Sequence, residues 1–353
     1  MRRISEIDFG ILITAISITG MGLAGIWAAR GGFSSYFSRQ VLWLFIGIIA
    51  FFVFALIDYE KLVSWSAWFY AGLIIILLIL ARGRGISSWF KFGSVWIQPS
   101  ELGKLIVPLF LTRILYKKAS FPLSLNDLVK IGAVVGLPSV LIAIQPDLGT
   151  AFVYSAFIFA PLLIYGIKRT HLNIALLFLA VFTIFMWFFF LKDYQKERIT
   201  SFLNPSDEPR GSGYQVYQSK ISIGSGRLMG KGLKEVSQAR LKFLPAAHTD
   251  FIFSVIAESF GFLGILVLLF LYLILFTRIY RIGDFLDSEK AFLLLLLTSS
   301  WIAFQTVFNL LITLGLFPVT GFPLPFMSYG GSDLITAYSS LGIINSVKAW
   351  RWK

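Results

Sequence analysis

A succession of long apolar runs constrains this chain more than any other feature of its sequence. A membrane-spanning helix needs about 20 mostly apolar residues, with a range of roughly 17 to 25. About ten runs approach or meet that length, at residues 9–29, 41–57, 63–81, 102–116, 129–144, 149–167, 172–191, 251–276, 291–317 and 335–347. The sequence therefore predicts an all-α polytopic membrane protein with about ten transmembrane helices, built as one domain over residues 1–353.

Composition supports this class and excludes several others. Hydrophobic residues make up 57% of the chain and charged residues 14%, whereas soluble domains carry about 25% charged residues. The absence of cysteine and the presence of only two histidines exclude disulfides, thiolate metal sites and a His-rich metal site. The net charge of +13 suits anionic lipid headgroups or a phosphorylated substrate, and the apolar content argues against nucleic acid as a partner.

Lysine and arginine are distributed unevenly between the two sets of loops. With the N-terminus inside, the inner segments hold 14 of these residues and the short outer loops hold 5. Short loops rich in Lys and Arg stay in the cytoplasm. We therefore expect both termini in the cytoplasm and a large extracytoplasmic loop, residues 192–250, between helices 7 and 8. Long loops cross largely regardless of their charge.

That loop is the one long polar segment, and it carries ten of the chain's 31 Lys and Arg residues between positions 192 and 242. A basic, Gly-rich loop that ends in a carboxylate, Asp250, suggests a site that holds an anion and moves a proton. Arg198, Arg210 and Lys220 are candidate phosphate contacts; exposed cations beside anionic lipids are the alternative. Residues 214–223 predict a short amphipathic helix on the membrane surface, between two Gly-Ser-Gly turns.

Asp250 stands directly before an apolar run, so two roles are open to it. It can cap the next helix, or it can act as a general base. An ordinary Asp has a pKa near 3.9, so the second role needs burial or a neighbouring carboxylate to raise that pKa. Glu258 lies two helical turns further, roughly 12 Å away, which is too far to share a proton with Asp250 directly. It can only influence the electrostatic field at Asp250. His248 is a candidate either for proton traffic or for holding the loop.

Polar residues at the ends of other runs are further candidates. Ser100 is predicted to cap the fourth helix, and the i, i+3 spacing of Glu101 and Lys104 predicts an ion pair, either structural or orienting a phosphate. Asp147 follows a proline and can cap a helix or act in a site. Residues 318–333 predict an irregular segment that is buried or lines a cavity. Any pocket should lie among this segment, the long loop and residues 82–101.

Six motifs in the non-helical parts resemble those of one family. They read QPSELGK at 98–104, QPDLGT at 145–150, DYQKER at 193–198, GYQVYQSKISIGSG at 213–226, FLPAAHTDFIF at 243–253 and PVTGFPLPFMSYGGS at 318–332. Together they are similar to the shape, elongation, division and sporulation (SEDS) proteins, in family order. The short N-terminal segment is more similar to the elongation branch than to the division branch.

The resemblance implies a peptidoglycan glycosyltransferase of the bacterial inner (plasma) membrane that polymerises lipid II for cell-wall elongation and cell shape. It implies that Asp250 is the catalytic aspartate, and that Glu101, Lys104 and Asp147 are functional residues. Ser328, in the last motif, joins His248 as a candidate substrate-binding residue. A class B penicillin-binding protein, a transpeptidase, is the implied partner, besides lipid II and membrane lipids. No cofactor is required by the motifs, although a divalent cation such as Mg²⁺ would suit the diphosphate.

The chain departs from the family pattern at three places, and two other functions remain open. Ser88 stands where the family often has Arg, residues 246 and 247 are Ala where an acid is common, and Asp333 stands where small residues are common. A lipid II flippase would depend on Glu101, Lys104 and Asp147 and not on Asp250. A scaffold that recruits the transpeptidase would depend on no single polar residue.

Overall fold

The structure is a computed structural model that describes residues 6–82, 88–92, 95–117, 119–175, 211–241 and 243–350, together with residues 177, 188, 196 and 200–202. Most of the predicted seventh span, 172–191, and the candidates Arg198 and Arg210 lie outside the described residues. The position of the large loop between helices 7 and 8 therefore stays a prediction.

The described chain is built almost entirely of helices, so the all-α class is confirmed. They are α1 (Phe9–Arg30), α2 (Ser35–Leu56), α3 (Tyr59–Arg82), α4 (Pro99–Leu115), α5 (Leu125–Ile144), α6 (Leu148–Val153), α7 (Ala156–Tyr165), α8 (Ser212–Ser225), α9 (Ser237–Arg240), α10 (Ile252–Asp284), α11 (Glu289–Thr313) and α12 (Gly331–Ala349). One antiparallel hairpin, β1 (Phe90–Phe92) and β2 (Val95–Ile97), precedes α4.

Within the described residues, seven stretches are long and apolar enough to cross a membrane: α1, α2, α3, α5, α6 with α7, α10 and α11. Helices α4 and α12 match the predicted spans 102–116 and 335–347 but do not belong to that set. Helix α4 is short, at 17 residues, and α12 contains many polar residues, including four serines. The chain is a multi-pass membrane protein, and the count of ten stays a prediction.

Side-chain caps fix several helix starts. Asp8, Ser34 and Ser288 each accept a hydrogen bond from the backbone at the start of α1, α2 and α11. These caps satisfy amide groups that a helix leaves without a partner in its first turn. The predicted cap at Ser100 is wrong, because α4 begins at Pro99, a residue suited to the first helical position.

Helix α10 is broken near its N-terminal end, which the predicted run 251–276 did not indicate. Gly261 adopts a φ of 65° inside the helix. The loop segment 227–232 pairs with the break: two of its carbonyls accept from the amides of Phe262 and Leu263, and two of its amides donate to Glu258 and Ser259. Unpaired backbone in an apolar setting is costly, and these four bonds remove that cost.

The predicted helix at 214–223 is confirmed as α8. It packs against α10 and α11, where the Ser219 hydroxyl donates to the Thr313 carbonyl at 2.6 Å and accepts from the Ser254 hydroxyl at 2.7 Å. The predicted Gly-Ser-Gly turns are wrong in part, because Gly213 and Gly224 lie inside this helix. Amphipathic helices bury their apolar side, and here another part of the protein covers it.

The two ends of the bundle differ in what they hold. At one end, Asp8 before α1 contacts Arg278 of α10 at 3.1 Å and Lys348 of α12 at 3.7 Å, and its amide donates to Asn345. The starts of α2, α4, α6, α10 and α12 lie at the opposite end. Because the first turns of these helices converge there, that end gathers the polar segments singled out in the sequence.

Candidate active site

A cavity of about 810 Å³ opens at the end of the bundle where those helices begin. Its wall includes residues from the end of the long loop, from 318–333 and from 82–101, so the predicted position of the pocket is confirmed. The lining residues are Tyr36, Arg39, Trp43, Ser88, Trp89, Trp96, Gln98, Glu101, Pro146, Asp147, Leu148, Thr150, Thr249, Asp250, Thr320, Gly321, Pro323, Tyr329, Gly330, Gly331 and Asp333.

Asp250 lines this cavity, and its backbone is held from below. The side-chain amide of Asn309 on α11 donates to the Asp250 carbonyl and to the Phe322 carbonyl, both at 2.9 Å. The N-cap of α10 is Phe251, so Asp250 does not occupy the cap position. A Cβ placed on Gly321 would make an ordinary van der Waals contact with Asp250 Oδ2 at 3.6 Å, so Gly321 lies directly beside that oxygen.

Asp250 is also fastened to the segment 318–333. The Ser328 hydroxyl donates to the Thr249 carbonyl and accepts from the Leu324 amide, each at 2.7 Å. The Tyr329 amide donates to the His248 carbonyl at 2.9 Å. Ser328 is 3% exposed and does not line the cavity. The structure therefore places it behind the wall, where it positions the residues next to Asp250.

His248 packs outside the cavity against two aromatic residues of its wall. Its ring centroid lies 4.9 Å from that of Tyr36 and 5.7 Å from that of Tyr329. Burial, together with the nearby charge of Arg30, lowers the pKa of His248 to about 4. The imidazole is therefore neutral at physiological pH. The Arg30 guanidinium lies 3.6 Å from the centre of the Tyr36 ring.

The predicted pair Glu101–Lys104 is confirmed and belongs to a larger network. Lys104 Nζ lies 2.8 Å from Glu101 Oε2, 2.8 Å from Gln305 Oε1 and 3.1 Å from Asp333 Oδ1. The Trp301 ring lies 4.7 Å away. Lys104 is 1% exposed, whereas Glu101 and Asp333 reach the cavity wall. The ammonium thus joins α4, α11 and α12 beneath that wall.

Asp147 has the predicted capping role and also lines the cavity. Its Oδ1 accepts from the Thr150 amide at 3.1 Å at the start of α6, and its Oδ2 accepts from the Gln98 side chain at 2.5 Å. Gln98 precedes α4, so this bond joins the starts of two helices. The capping and functional readings of Asp147 are compatible, because one carboxylate oxygen serves each contact.

One face of α2 lines the cavity, and the sequence analysis missed it. Tyr36, Arg39 and Trp43 line the wall, and their spacing of three and four residues places them on one helical face. Gln40, on the same face, donates to the Ser328 carbonyl at 2.9 Å and accepts from the Gly330 amide at 3.2 Å. The signal that could have found this face is a Gln and an Arg at helical spacing with two aromatics.

The hairpin β1–β2 covers the cavity from another side. Trp89 and Trp96 line the wall, and the Ser88 hydroxyl donates to the Gln145 carbonyl at 2.8 Å. Ser88, noted as a departure from the family pattern, thus fixes the hairpin to the end of α5. The wall combines five aromatic side chains, at Tyr36, Trp43, Trp89, Trp96 and Tyr329, with a few charged groups.

The predicted cationic contacts are not all brought to this cavity. Lys220 is exposed on α8, and its side chain lies beside Gly315 rather than in the cavity wall. Arg39 is the one cationic side chain among the described residues that line the wall. Among the described residues, no group of three or more His, Asp and Glu side chains could hold a metal ion.

Comparisons with known proteins agree with this architecture. Residues 11–352 match the family described as cell cycle protein, FtsW/RodA/SpoVE. The chain is 34% identical over 358 residues to the peptidoglycan glycosyltransferase MrdB of Escherichia coli K12, with 98% of this chain and 94% of the relative covered.

Two solved structures share the fold over nearly the whole chain. A chain of a peptidoglycan synthase complex, studied for the coordination of polymerization and crosslinking, superposes with a TM-score of 0.82, 29% identity and coverage of 98% and 99%. The rod shape determining protein RodA of Thermus thermophilus gives a TM-score of 0.72, 28% identity and coverage of 98% of each chain. The chain therefore belongs to the FtsW/RodA/SpoVE family, the SEDS proteins.

Proposed function

We propose that the chain is a peptidoglycan glycosyltransferase that polymerises lipid II, with Asp250 as general base. The observation that carries the proposal is the position of the Asp250 carboxylate in the wall of a cavity shared by the three motif-bearing segments. Membership of a family whose E. coli relative is a peptidoglycan glycosyltransferase supports it. The expected role is cell-wall elongation and cell shape.

The reaction is a single displacement at the anomeric carbon of the donor. Asp250 takes the proton from the 4-hydroxyl of the acceptor sugar, and that oxygen forms a bond to the anomeric carbon. The bond from this carbon to the diphosphate oxygen breaks, and the lipid diphosphate leaves with the electron pair. An α-linked donor thereby gives a β-linked glycan. A base assists the attacking hydroxyl, and cations suffice for a diphosphate leaving group.

Among the described residues, some are suited to contact the substrate and others to support the cavity wall. Arg39 faces the cavity as a contact for the leaving diphosphate, and Glu101, Lys104 and Asp147 keep the helix starts in place around it. His248 and Ser328 support the backbone beside Asp250. Arg198, Arg210 and Lys220 remain candidate contacts for the anionic parts of the substrate or for lipid headgroups.

The aromatic wall suits the sugar part of the substrate. Tyr36 and Tyr329 pack with ring centroids 5.0 Å apart beside the Asp250 segment, and aromatic rings provide rigid apolar faces with polar tips. Such faces can pack against the apolar side of a sugar ring and leave the hydroxyl groups of the sugar free to form hydrogen bonds. This arrangement would orient the acceptor hydroxyl towards Asp250.

We place the protein in the bacterial inner membrane with both termini in the cytoplasm and the cavity on the outer side. Arg278 and Lys348, which form salt bridges with Asp8, lie at the end of the bundle opposite the cavity. This is expected if that end is cytoplasmic, because Lys and Arg are enriched on the cytoplasmic side. A class B penicillin-binding protein is the proposed partner, because a structural neighbour belongs to a synthase complex for polymerization and crosslinking.

Polymerisation of purified lipid II by the purified protein, with and without the transpeptidase, tests the function. We expect glycan chains from the wild type and a loss of roughly 10²-fold or more for Asp250→Asn. Asp287→Asn, an exposed carboxylate outside the cavity, is the matched control and should polymerise normally. Chains from a well-folded Asp250→Asn protein would remove Asp250 from the chemistry.

The same experiment separates the other hypotheses. If neither wild type nor variant makes chains even with the partner, the enzyme hypothesis fails. Translocation of lipid II in vesicles that depends on Glu101, Lys104 and Asp147 would then support a flippase. Assembly with the transpeptidase that survives every single polar substitution, without transport, would support a scaffold.

A further inference from the structure

The network around Lys104 contains one cation and two carboxyl groups. An ammonium group has three N–H donors, and the three acceptors of Lys104 are Glu101, Gln305 and Asp333. The Gln305 amide in turn donates to Asp333 Oδ1 at 3.1 Å and to the Pro323 carbonyl at 2.8 Å. The polar groups of Lys104 and Gln305 are thus fully engaged, and the imbalance lies in the charges.

The two carboxyl groups share one ammonium group, since Lys104 Nζ lies 2.8 Å from Glu101 Oε2 and 3.1 Å from Asp333 Oδ1. Both residues are buried, with Glu101 3% and Asp333 7% exposed. With both ionised, the network would carry a net charge of −1 in a poorly solvated place, which is unfavourable. Neighbouring carboxyls in such settings commonly hold one proton between them.

Neighbouring elements do not correct the imbalance. Among the described residues, Lys104 is the one cation in salt-bridge contact with Glu101 or Asp333. The nearest phenols, Tyr154 and Tyr272, are neutral donors whose hydroxyls are engaged by the carbonyls of Ser100 and Pro325.

Other charged groups in the cavity wall make a further negative charge at Glu101 and Asp333 more unfavourable. Asp147 and Asp250 share the wall with Glu101 and Asp333, and Arg39 is the described cation that faces them. Each additional negative charge in this wall repels an anionic substrate group through a medium that screens less than water.

We propose that Glu101 and Asp333 share one proton and so keep their part of the cavity wall uncharged, which allows the diphosphate of the donor to bind. The substrate class rests on the proposed function. Asp333 acts as a positioning residue through Lys104 and Glu101, at a place where the family commonly has a small residue. In this chain the familiar ion pair is thereby converted into a proton-holding triad.

Loss of the shared proton at alkaline pH adds one negative charge to the wall. Because the repulsion acts on binding of the diphosphate and not on proton removal by Asp250, the KM for lipid II should rise while kcat changes little. We expect a rise of about tenfold, the effect of one charge a few ångströms away at partial screening.

The test compares KM and kcat across neutral and alkaline pH for wild type and Asp333→Asn. Asparagine keeps an acceptor oxygen for Lys104 and does not ionise, so the alkaline rise in KM should disappear. Asp287→Asn should keep the rise, because this residue lies outside the network. A rise in Asp333→Asn equal to that of wild type, or no rise in wild type, would overturn the proposal.

Infrared spectroscopy tests the proton without relying on activity. The difference spectrum of wild type minus Asp333→Asn at neutral pH should contain the C=O stretch of a protonated carboxyl, and that band should vanish at alkaline pH. Glu101→Gln should remove the same band, which keeps the test decisive if the Asn variant does not fold. Absence of the band in wild type would refute the shared proton even where polymerisation is normal, whereas loss of polymerisation with the band intact would concern the proposed function alone.

Discussion

Two lysine–glutamate pairs with a buried carboxylate serve different parts of this molecule. Glu101 and Lys104 lie under the cavity wall, with the lysine 1% exposed. Glu258 and Lys231 lie 2.8 Å apart beside the break in α10, where the lysine side chain is 30% exposed and the glutamate is fully buried. The first pair joins three helices around a cavity, whereas the second fastens a loop to one broken helix.

The partners of each pair explain the difference. Glu258 Oε1 also accepts from the Ser237 amide and hydroxyl, both at 3.0 Å, so backbone from the long loop completes its contacts. Lys104 has only side-chain partners, and two of its neighbours reach the cavity. A buried ion pair alone therefore does not identify a site; its access to the cavity does.

Replacing the lysine of each pair should give the largest difference between the two regions. Lys104→Met leaves two buried carboxyls without a cation, and breaking a buried pair costs about 3–5 kcal/mol. Lys231→Met should cost less, because Lys231 is partly exposed and backbone donors remain for Glu258. Thermal unfolding in detergent should give the lower Tm for Lys104→Met. Polymerisation per folded molecule should fall for Lys104→Met and persist for Lys231→Met; equal losses would contradict the division of roles.

The break in α10 should be sensitive to a single methyl group. A Cβ on Gly261 would lie 2.3 Å from the Gly230 amide nitrogen, and the φ of 65° disfavours other residues. Gly261→Ala should therefore cost about 1–3 kcal/mol from backbone strain, with the steric overlap in addition. Gly20→Ala, which meets no atom within 4 Å, is the control and should leave the Tm nearly unchanged. A Tm for Gly261→Ala equal to that of the control would mean that the loop does not pack into the break.

Hydropathy and motif spacing predicted the helical class and the three segments around the cavity, because both signals are local. The pair Glu101–Lys104 was predictable since its residues are one turn apart on one helix. The break at Gly261 was not, because its backbone partners lie in a distant loop and the apolar run is continuous through it. Asp333 was visible as a departure, but its contact with Lys104 spans 229 positions.

The face of α2 that lines the cavity was also not predictable from local sequence patterns. Its first turn is polar, and the predicted span began at residue 41, so hydropathy assigned Tyr36 and Arg39 to a loop. Their role depends on Gln40 binding the turn at Ser328 and Gly330, nearly 300 positions away. Long-range contacts of this kind leave no periodic trace in a single sequence.

Gln40 offers a smaller perturbation of the cavity side. Gln40→Leu removes two buried hydrogen bonds to the turn next to Asp250, with an expected cost of about 1–3 kcal/mol. Since that turn forms part of the wall, kcat/KM for lipid II should fall even at temperatures where the variant is fully folded. Val41→Ala, on an exposed face of the same helix, is the control. A full kcat/KM in Gln40→Leu would show that the turn keeps its position without this clamp.

His248 should produce the smallest effect, and one that depends on pH. Its pKa is lowered to about 4 by burial and by Arg30, from about 6.5 in an unfolded chain. Between these values the unfolded state binds more protons, so stability is complete above about pH 6.5 and falls as the pH decreases towards 4. His248→Gln should flatten this part of the Tm–pH curve. Because His248 is partly solvated, screening reduces the size of the change, and a slope unaltered by His248→Gln would mean that other groups account for the acid sensitivity.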